Sequence, residues 1–287
     1  MKKILAILLS LTLVLSLGAV AFADGPSPEN PVTVRIGLTG NIYEDIWAPV
    51  AEVLKDEGIL LEYVQFSNFS LPNDALNSGD IEINAFQHHA FFENELKNYG
   101  YDLVPIGDTY IVAMNIYSNK ISDLSELKDG DKVSVPNDAT NEGRALKLLE
   151  SAGIIDIDPE AGASPTLDDI VNYNVKVEFV EVDANLVFST LPDVTIAVIN
   201  GNYALDSGLT ADEALFKETE YTDNRYFCLI AVRAEDAENP VYQRIVEVYQ
   251  SDLTVKVFND EFAGFFVPAW DLVLDGEAEA ETTEAAG

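Results

Sequence analysis

Asp80-Ile81-Glu82-Ile83-Asn84-Ala85-Phe86-Gln87-His88-His89 sets two isoleucines in alternation with polar residues and follows them with a run of aromatic and hydrogen-bonding side chains. The two-residue period is that of a strand. The polar run then falls where strand gives way to helix, which in α/β sheets is where ligands bind. The same residues also describe a strand edge with a solvated turn, and the stretch alone does not separate the two.

Working outward, residues 72–78 read as a short helix, with Pro72 at its start and Gly79 after its end. Further upstream, Val32, Val34, Ile36 and Leu38 alternate as a first strand, and Thr39-Gly40-Asn41 forms a loop. Ile46, Trp47, Val50, Val53 and Leu54 share one helical face that ends at Gly58. A second strand over residues 60–66 completes a βαβ unit, too long for a hairpin and so expected to pair in parallel. Downstream, a helix over residues 90–99 is expected to bury Phe91, Leu96 and Tyr99. Strand-rich sequence runs to Tyr117, the expected hinge. The βα alternation then repeats, with strands at 132–135, 175–182 and 194–199 and a helix at 142–152 N-capped by Asn141. Residues 156–165 read as a surface loop. The chain returns through residues 226–232, and two helical patterns at 241–250 and 253–260 follow.

Residues 1–23 carry the parts of a secretory signal: Lys2-Lys3, an apolar run from Ile4 to Val20, and Ala21-Phe22-Ala23. The run has 17 residues, short of the roughly 20 that span a bilayer, so cleavage is expected over an uncleaved anchor. The remaining chain is long enough for two domains, with residues 24–31 as a Pro-rich tether. The one cysteine, Cys228, excludes an intramolecular disulfide. The formal charge is -34, and it becomes -36 when Lys2 and Lys3 leave. Such a surface repels phosphates and anionic headgroups, so nucleic acid is excluded as a partner and contact with a membrane is expected only through a transporter or an uncleaved signal helix. Residues 271–287 are acidic and read as a disordered tail.

Leu71-Pro72-Asn73-Asp74-Ala75-Leu76 followed by Gly79-Asp80 and Asn84-Ala85-Phe86-Gln87-His88 resembles the signature of the methionine-binding lipoprotein family of the NlpA type. Tyr117-Ser118 with Lys120-Ile121, Val135-Pro136-Asn137-Asp138, Asn141-Glu142-Gly143-Arg144-Ala145-Leu146 and Ala197-Val198-Ile199-Asn200-Gly201-Asn202-Tyr203-Ala204 continue the match in order, from about Val32 to about Trp270. The resemblance implies an α/β, two-lobed periplasmic-binding-protein-like fold with a ligand cleft between the lobes. Lobe 1 would comprise residues 32–116 and 226–270, and lobe 2 residues 117–225. It also implies capture of an amino acid, methionine or a relative, for an ABC transporter permease and its ATPase. A receptor for a dipeptide or another apolar amino acid, or an adhesin that keeps the fold, are the alternatives. No enzyme activity or cofactor is expected.

For an amino acid ligand, Arg144 is the natural carboxylate partner, since its forked guanidinium favours bidentate pairing. Read from spacing alone, it is a surface residue pairing with Glu150 or another acid. Asn141, Asn200 and Asn202 offer amides to the zwitterion, while Phe69, Phe86, Tyr110 and His88 form the wall around its side chain. His88 and His89 also raise a metal site, but adjacent side chains on a strand face opposite ways, so none is expected. The chain departs from the family twice. There is no lipid-attachment cysteine after the signal, which implies a protein free after export. Cys228 stands where the family has an asparagine that contacts the ligand backbone, and losing that bond costs roughly 1.5 to 3 kcal/mol. The resemblance therefore leaves the ligand open between methionine and another solute.

Overall fold

The structure is a computed structural model that describes residues 25–219, 221, 224–262 and 264–272. The signal and nearly all of the acidic tail lie outside the described residues. In chain order the elements are β1 (Val32–Leu38), α1 (Ile42–Asp56), β2 (Ile59–Gln65), α2 (Pro72–Ser78), β3 (Ile83–Asn84), α3 (His89–Tyr99), β4 (Leu103–Asp108), β5 (Tyr110–Val112) and β6 (Met114–Tyr117). They continue with β7 (Lys132–Pro136), α4 (Ala139–Ser151), β8 (Ile155–Ile157), β9 (Ile170–Tyr173), β10 (Glu178–Val182), β11 (Ile196–Asn200), α5 (Gly201–Asp206) and β12 (Phe216–Lys217). The chain closes with β13 (Leu229–Arg233), α6 (Pro240–Tyr249), α7 (Asp252–Glu261) and β14 (Phe266–Pro268).

Two five-stranded sheets define two lobes. The first has the order β2-β1-β3-β13-β4 and the second β10-β7-β11-β6-β12. β1 pairs in parallel with β2 along its whole length, as the βαβ reading requires, and with β3 at Ile36 and Gly37. The chain leaves the first sheet after β4, runs through β5, which pairs with β14 in a separate two-stranded sheet, and enters the second sheet at β6, which pairs with β11, ahead of the expected hinge at Tyr117. It returns ahead of β13, which runs antiparallel to β3 and β4.

Apolar periodicity sets the helices down where the sequence places them. Ile46, Trp47, Val50 and Leu54 of α1 are all at most 1% exposed. Each such side chain contributes about 1.5–3 kcal/mol on burial. Trp47 meets Tyr249 of α6 at 4.5 Å, which carries the C-terminal helices onto the first lobe. α3 differs from its reading: its buried residues are Phe91, Phe92 and Glu95, whereas Tyr99 is 63% exposed and stacks on Tyr101. A hairpin of β8 and β9 frames the expected loop at 156–165. The proline-rich segment is not merely extended, since Ser27 and Asn30 close a turn and Ser27 packs so near Gly58 that a Cβ there would lie 2.2 Å from its backbone.

Helix α5 starts hard against the crossover. A Cβ on Gly201 would lie 2.4 Å from the Ala113 carbonyl oxygen and 2.5 Å from Val112. Further along α5, Asn202 donates to the Thr39 carbonyl, and Asp206 accepts from the Asn41 and Ile42 amides that open α1. A carboxylate at a helix N-terminus is well placed for the dipole. These bonds hold the lobes together. Gly201→Ala is expected to destabilise the protein by roughly 1–3 kcal/mol through overpacking against backbone, read as a lower urea midpoint.

Candidate functional site

The stretch that opens the sequence analysis does two jobs. Asn84 and Gln87 are fully buried together with Asn73 of α2. Asn84 donates to Asn73 Oδ1 at 2.9 Å, Gln87 donates to the same oxygen at 2.7 Å, and Asn73 donates to Gln87 Oε1 at 2.7 Å. Buried amides must be satisfied, and here they satisfy one another. This knot fixes the chain on either side of Phe86 and next to His88.

His88 caps α3, its Nδ1 accepting from the Phe91 amide at 3.1 Å. Nδ1 therefore carries a lone pair, so the ring proton sits on Nε2, which donates to Asn141 Oδ1 across the lobes at 3.3 Å. Burial, with Arg144 nearby as the second cause, depresses the imidazole to a pKa of about 3, so His88 is neutral. Asn141 Oδ1 also accepts from Asn200 Nδ2 at 2.8 Å, and Asn141 Nδ2 donates to both oxygens of Asp138 at 3.0 Å. The helix cap is Asp138 rather than Asn141: α4 begins at Ala139, and the Asp138 carboxylate accepts from the Asn141 amide. One acceptor in this chain of amides is left over, since Asn200 Oδ1 is buried without a hydrogen bond.

Arg144 projects from the same helix and is 3% exposed. Its Nε donates to Glu218 Oε1 at 2.8 Å, while Nη2 donates to Glu218 Oε2 and to the Val112 carbonyl at 2.5 and 2.9 Å. The partner is thus Glu218, not Glu150, whose carboxylate accepts from the Ile157 amide. Burial works against the guanidinium's charge, but Glu218 beside it raises its pKa overall, so it stays charged. The Arg144 Cζ lies 4.5 Å over the Tyr226 ring, and His88 meets that ring at 5.3 Å. Glu218 and Tyr226 were missed from the sequence; Tyr226 lies in a single helical turn, Asn224–Tyr226, ahead of β13 and two residues before Cys228.

Of the residues singled out by sequence, the structure gathers Phe69, Phe86, His88, Asn141, Arg144 and Asn200. Phe69 stands 5.9 Å from Phe86 and 4.9 Å from Tyr203 of the second lobe. Tyr110 lies deeper: its ring packs on Tyr43, Phe258 and Phe266 within the first lobe's core. Asn202 spends its amide on the Thr39 carbonyl. Cys228 bridges to His88 through its backbone, yet its thiol belongs to the main apolar cluster, where burial pushes its pKa up to about 12. His89 turns the other way and binds Asp108 at 2.7 Å.

Two α/β lobes with polar groups gathered between them make the architecture of a periplasmic substrate-binding protein. The family model described as NlpA lipoprotein matches residues 34–270, and the chain belongs to that family. D-methionine-binding lipoprotein MetQ of Escherichia coli O157:H7 is 36% identical over 250 residues, 86% of this chain and 92% of that one. Protein PG110 of Staphylococcus aureus has a TM-score of 0.80 at 36% identity, covering 88% of this chain and 99% of its own. A nutrient binding protein from Burkholderia cenocepacia, solved bound to methionine, has a TM-score of 0.78 at 36% identity, covering 82% and 99%. One expectation is corrected by these relationships. The sequence reading had the exported protein free of lipid. The family is described as one of lipoproteins and the Escherichia coli relative is named one, so that reading is withdrawn.

Two tests follow from this geometry. Arg144→Ala strands the Glu218 carboxylate in a buried setting and is expected to lower stability by roughly 3–5 kcal/mol in urea unfolding. The double change Arg144→Met with Glu218→Leu is expected to recover more than half of that loss. His88 has a folded-state pKa below its unfolded value of about 6.5, so the unfolded chain binds the extra proton. The stability it confers is present above that value and is lost as pH falls toward about 3. The difference in stability between wild type and His88→Gln is expected to grow with pH across that window, by at most about 1.4 kcal/mol per unit, and to be flat above it.

Proposed function

We propose that this chain is the extracytoplasmic substrate-binding component of an ABC importer, capturing methionine or a methionine-like amino acid and delivering it to a membrane permease driven by its ATPase. It acts by binding, and its chemistry is hydrogen bonding and lobe closure rather than turnover. The observation that carries the reading is the pairing of a buried, unpartnered acceptor, Asn200 Oδ1, with a buried cation, Arg144, beside a wall of rings. An α-ammonium donates to Asn200 Oδ1. The α-carboxylate accepts from Arg144 Nη1, the guanidinium nitrogen that neither Glu218 nor Val112 engages. A thioether side chain lies among Phe69, Phe86 and His88, where sulfur meets aromatic edges. Asn141 and the neutral His88 join the two lobes, so a ligand that adds contacts on both sides biases the closed form.

The names of the relatives support methionine as the first ligand to try. Cys228 offers no amide to the ligand, so Asn200 holds the ammonium without the help expected of an asparagine there. Calorimetry of the mature chain with methionine, at about 100 times its Kd, is expected to stabilise the fold by about 2.7 kcal/mol. Asn200→Ala is expected to weaken binding by roughly 1.5–3 kcal/mol, the value of a hydrogen bond to a charged group. If neither methionine enantiomer, methionine sulfoxide nor any other apolar amino acid raises the unfolding temperature, the reading is wrong.

A further inference from the structure

Next to the amino acid site lies a recess of about 200 Å³ that is shared by both lobes. Phe69, Phe91 and Glu95 line it from the first lobe, and Asp138, Asp183 and Tyr203 from the second. Its charged lining is wholly acidic: Glu95, Asp138 and Asp183. Glu95 sits on the buried face of α3 at 7% exposure, and its carboxyl makes no hydrogen bond; Oε2 is fully enclosed. Asn185, on the rim, turns its Nδ2 to the Ser67 carbonyl and leaves Oδ1 buried without a donor. The Tyr203 hydroxyl is likewise buried and unbonded. Among the described residues no lysine or arginine lines the recess.

A carboxyl on the buried face of a helix, in a position where a core side chain belongs, is costly unless something answers it. Among the described residues no hydrogen-bond donor meets it. Asp138 is turned to the Asn141 and Thr140 donors, and Asp183 accepts from Asn137. We infer that this recess is a subsite for a cationic group, a primary ammonium carried on a short methylene chain, and that the solute class extends to amino acids with a second positive charge, such as lysine or ornithine. The ammonium has three donors for the three idle acceptors of Glu95, Asn185 and Tyr203. Phe69 and Phe91 flank the methylenes and present ring faces to the charge. Phe69 lines the recess and also packs on Phe86 of the proposed amino acid site, so the two share a side chain. Burial and the facing Asp138 push the empty Glu95 carboxyl up to about 7, the state of an acid awaiting a counter-ion.

The inference rests on the amino acid reading for the position of the α-zwitterion, and the test keeps the two apart. Titration calorimetry at pH 8 compares lysine with norleucine, its isostere without the ammonium, on wild type and on Glu95→Gln. Wild type is expected to prefer lysine by 10-fold or more, and the preference is expected to fall to within 2-fold in Glu95→Gln. Equal affinities for the two ligands in wild type, or a preference that survives the substitution, overturn the subsite. Methionine on wild type tests the amino acid site by itself. If no amino acid binds, saturation-transfer NMR with 1,5-diaminopentane decides the recess alone: a signal lost in Glu95→Gln supports it, and no signal in wild type overturns it. Both proteins are compared at pH 5, where matching unfolding temperatures show that the variant is folded.

Discussion

A guanidinium removed almost entirely from water must have its charge answered where it stands, and the Arg144–Glu218 pair is that answer. The pair does more than neutralise. Glu218 Oε2 also accepts from the Met114 amide, the Glu218 amide donates to Asn115 Oδ1, and Arg144 holds the Val112 carbonyl. These three residues flank the point where the chain changes sheet, so one ion pair fixes helix α4, strand β6 and the crossover at once. A buried pair of this kind contributes little net stability against an apolar replacement, but breaking it leaves a charge uncompensated. It specifies a geometry.

The site inherits its character from that constraint. Arg144 and Glu218 cancel, and His88 is neutral, so the residues gathered between the lobes present directed hydrogen-bonding atoms rather than net charge. Asn141 distributes them: it is held by Asp138 from below and receives His88 from one lobe and Asn200 from the other. In the proposed reading a ligand with an ammonium and a carboxylate would complete the set at Asn200 Oδ1 and Arg144 Nη1. The acidic recess beside it is different in kind, because Glu95, Asn185 Oδ1 and the Tyr203 hydroxyl find no hydrogen-bond partner among the described residues. The separation of a balanced site from an unbalanced one is what distinguishes the two parts of the cleft.

The strands and helices were legible because their periods are clean. Val32, Val34, Ile36 and Leu38 alternate as a strand must, and the face of Ile46, Trp47, Val50 and Leu54 is that of a helix with one buried side. The placement of Phe86 and His88 just past a strand end was legible from the alternation that precedes them. Long-range pairing was not. Nothing near Arg144 announces Glu218, 74 residues later, since a carboxylate in a chain with 50 acids carries no positional signal. The stretch with Asn84 and Gln87 left a pocket wall and a solvated turn both open, because the partner of these two amides, Asn73, lies a helix away. Tyr110 read as wall because the sequence cannot say which side of β5 its ring takes; it takes the side of Tyr43. Asn141 read as a helix cap because Asp138, three residues earlier, is an equally good cap and the backbone chose it.

The most direct measurement is a crystal structure of the mature protein with methionine. The account predicts density between the lobes, with the α-ammonium within hydrogen-bond distance of Asn200 Oδ1, the α-carboxylate on Arg144 Nη1, and the Arg144–Glu218 pair intact. A ligand seated away from Asn200, or a carboxylate that displaces Glu218 from the guanidinium, would contradict it.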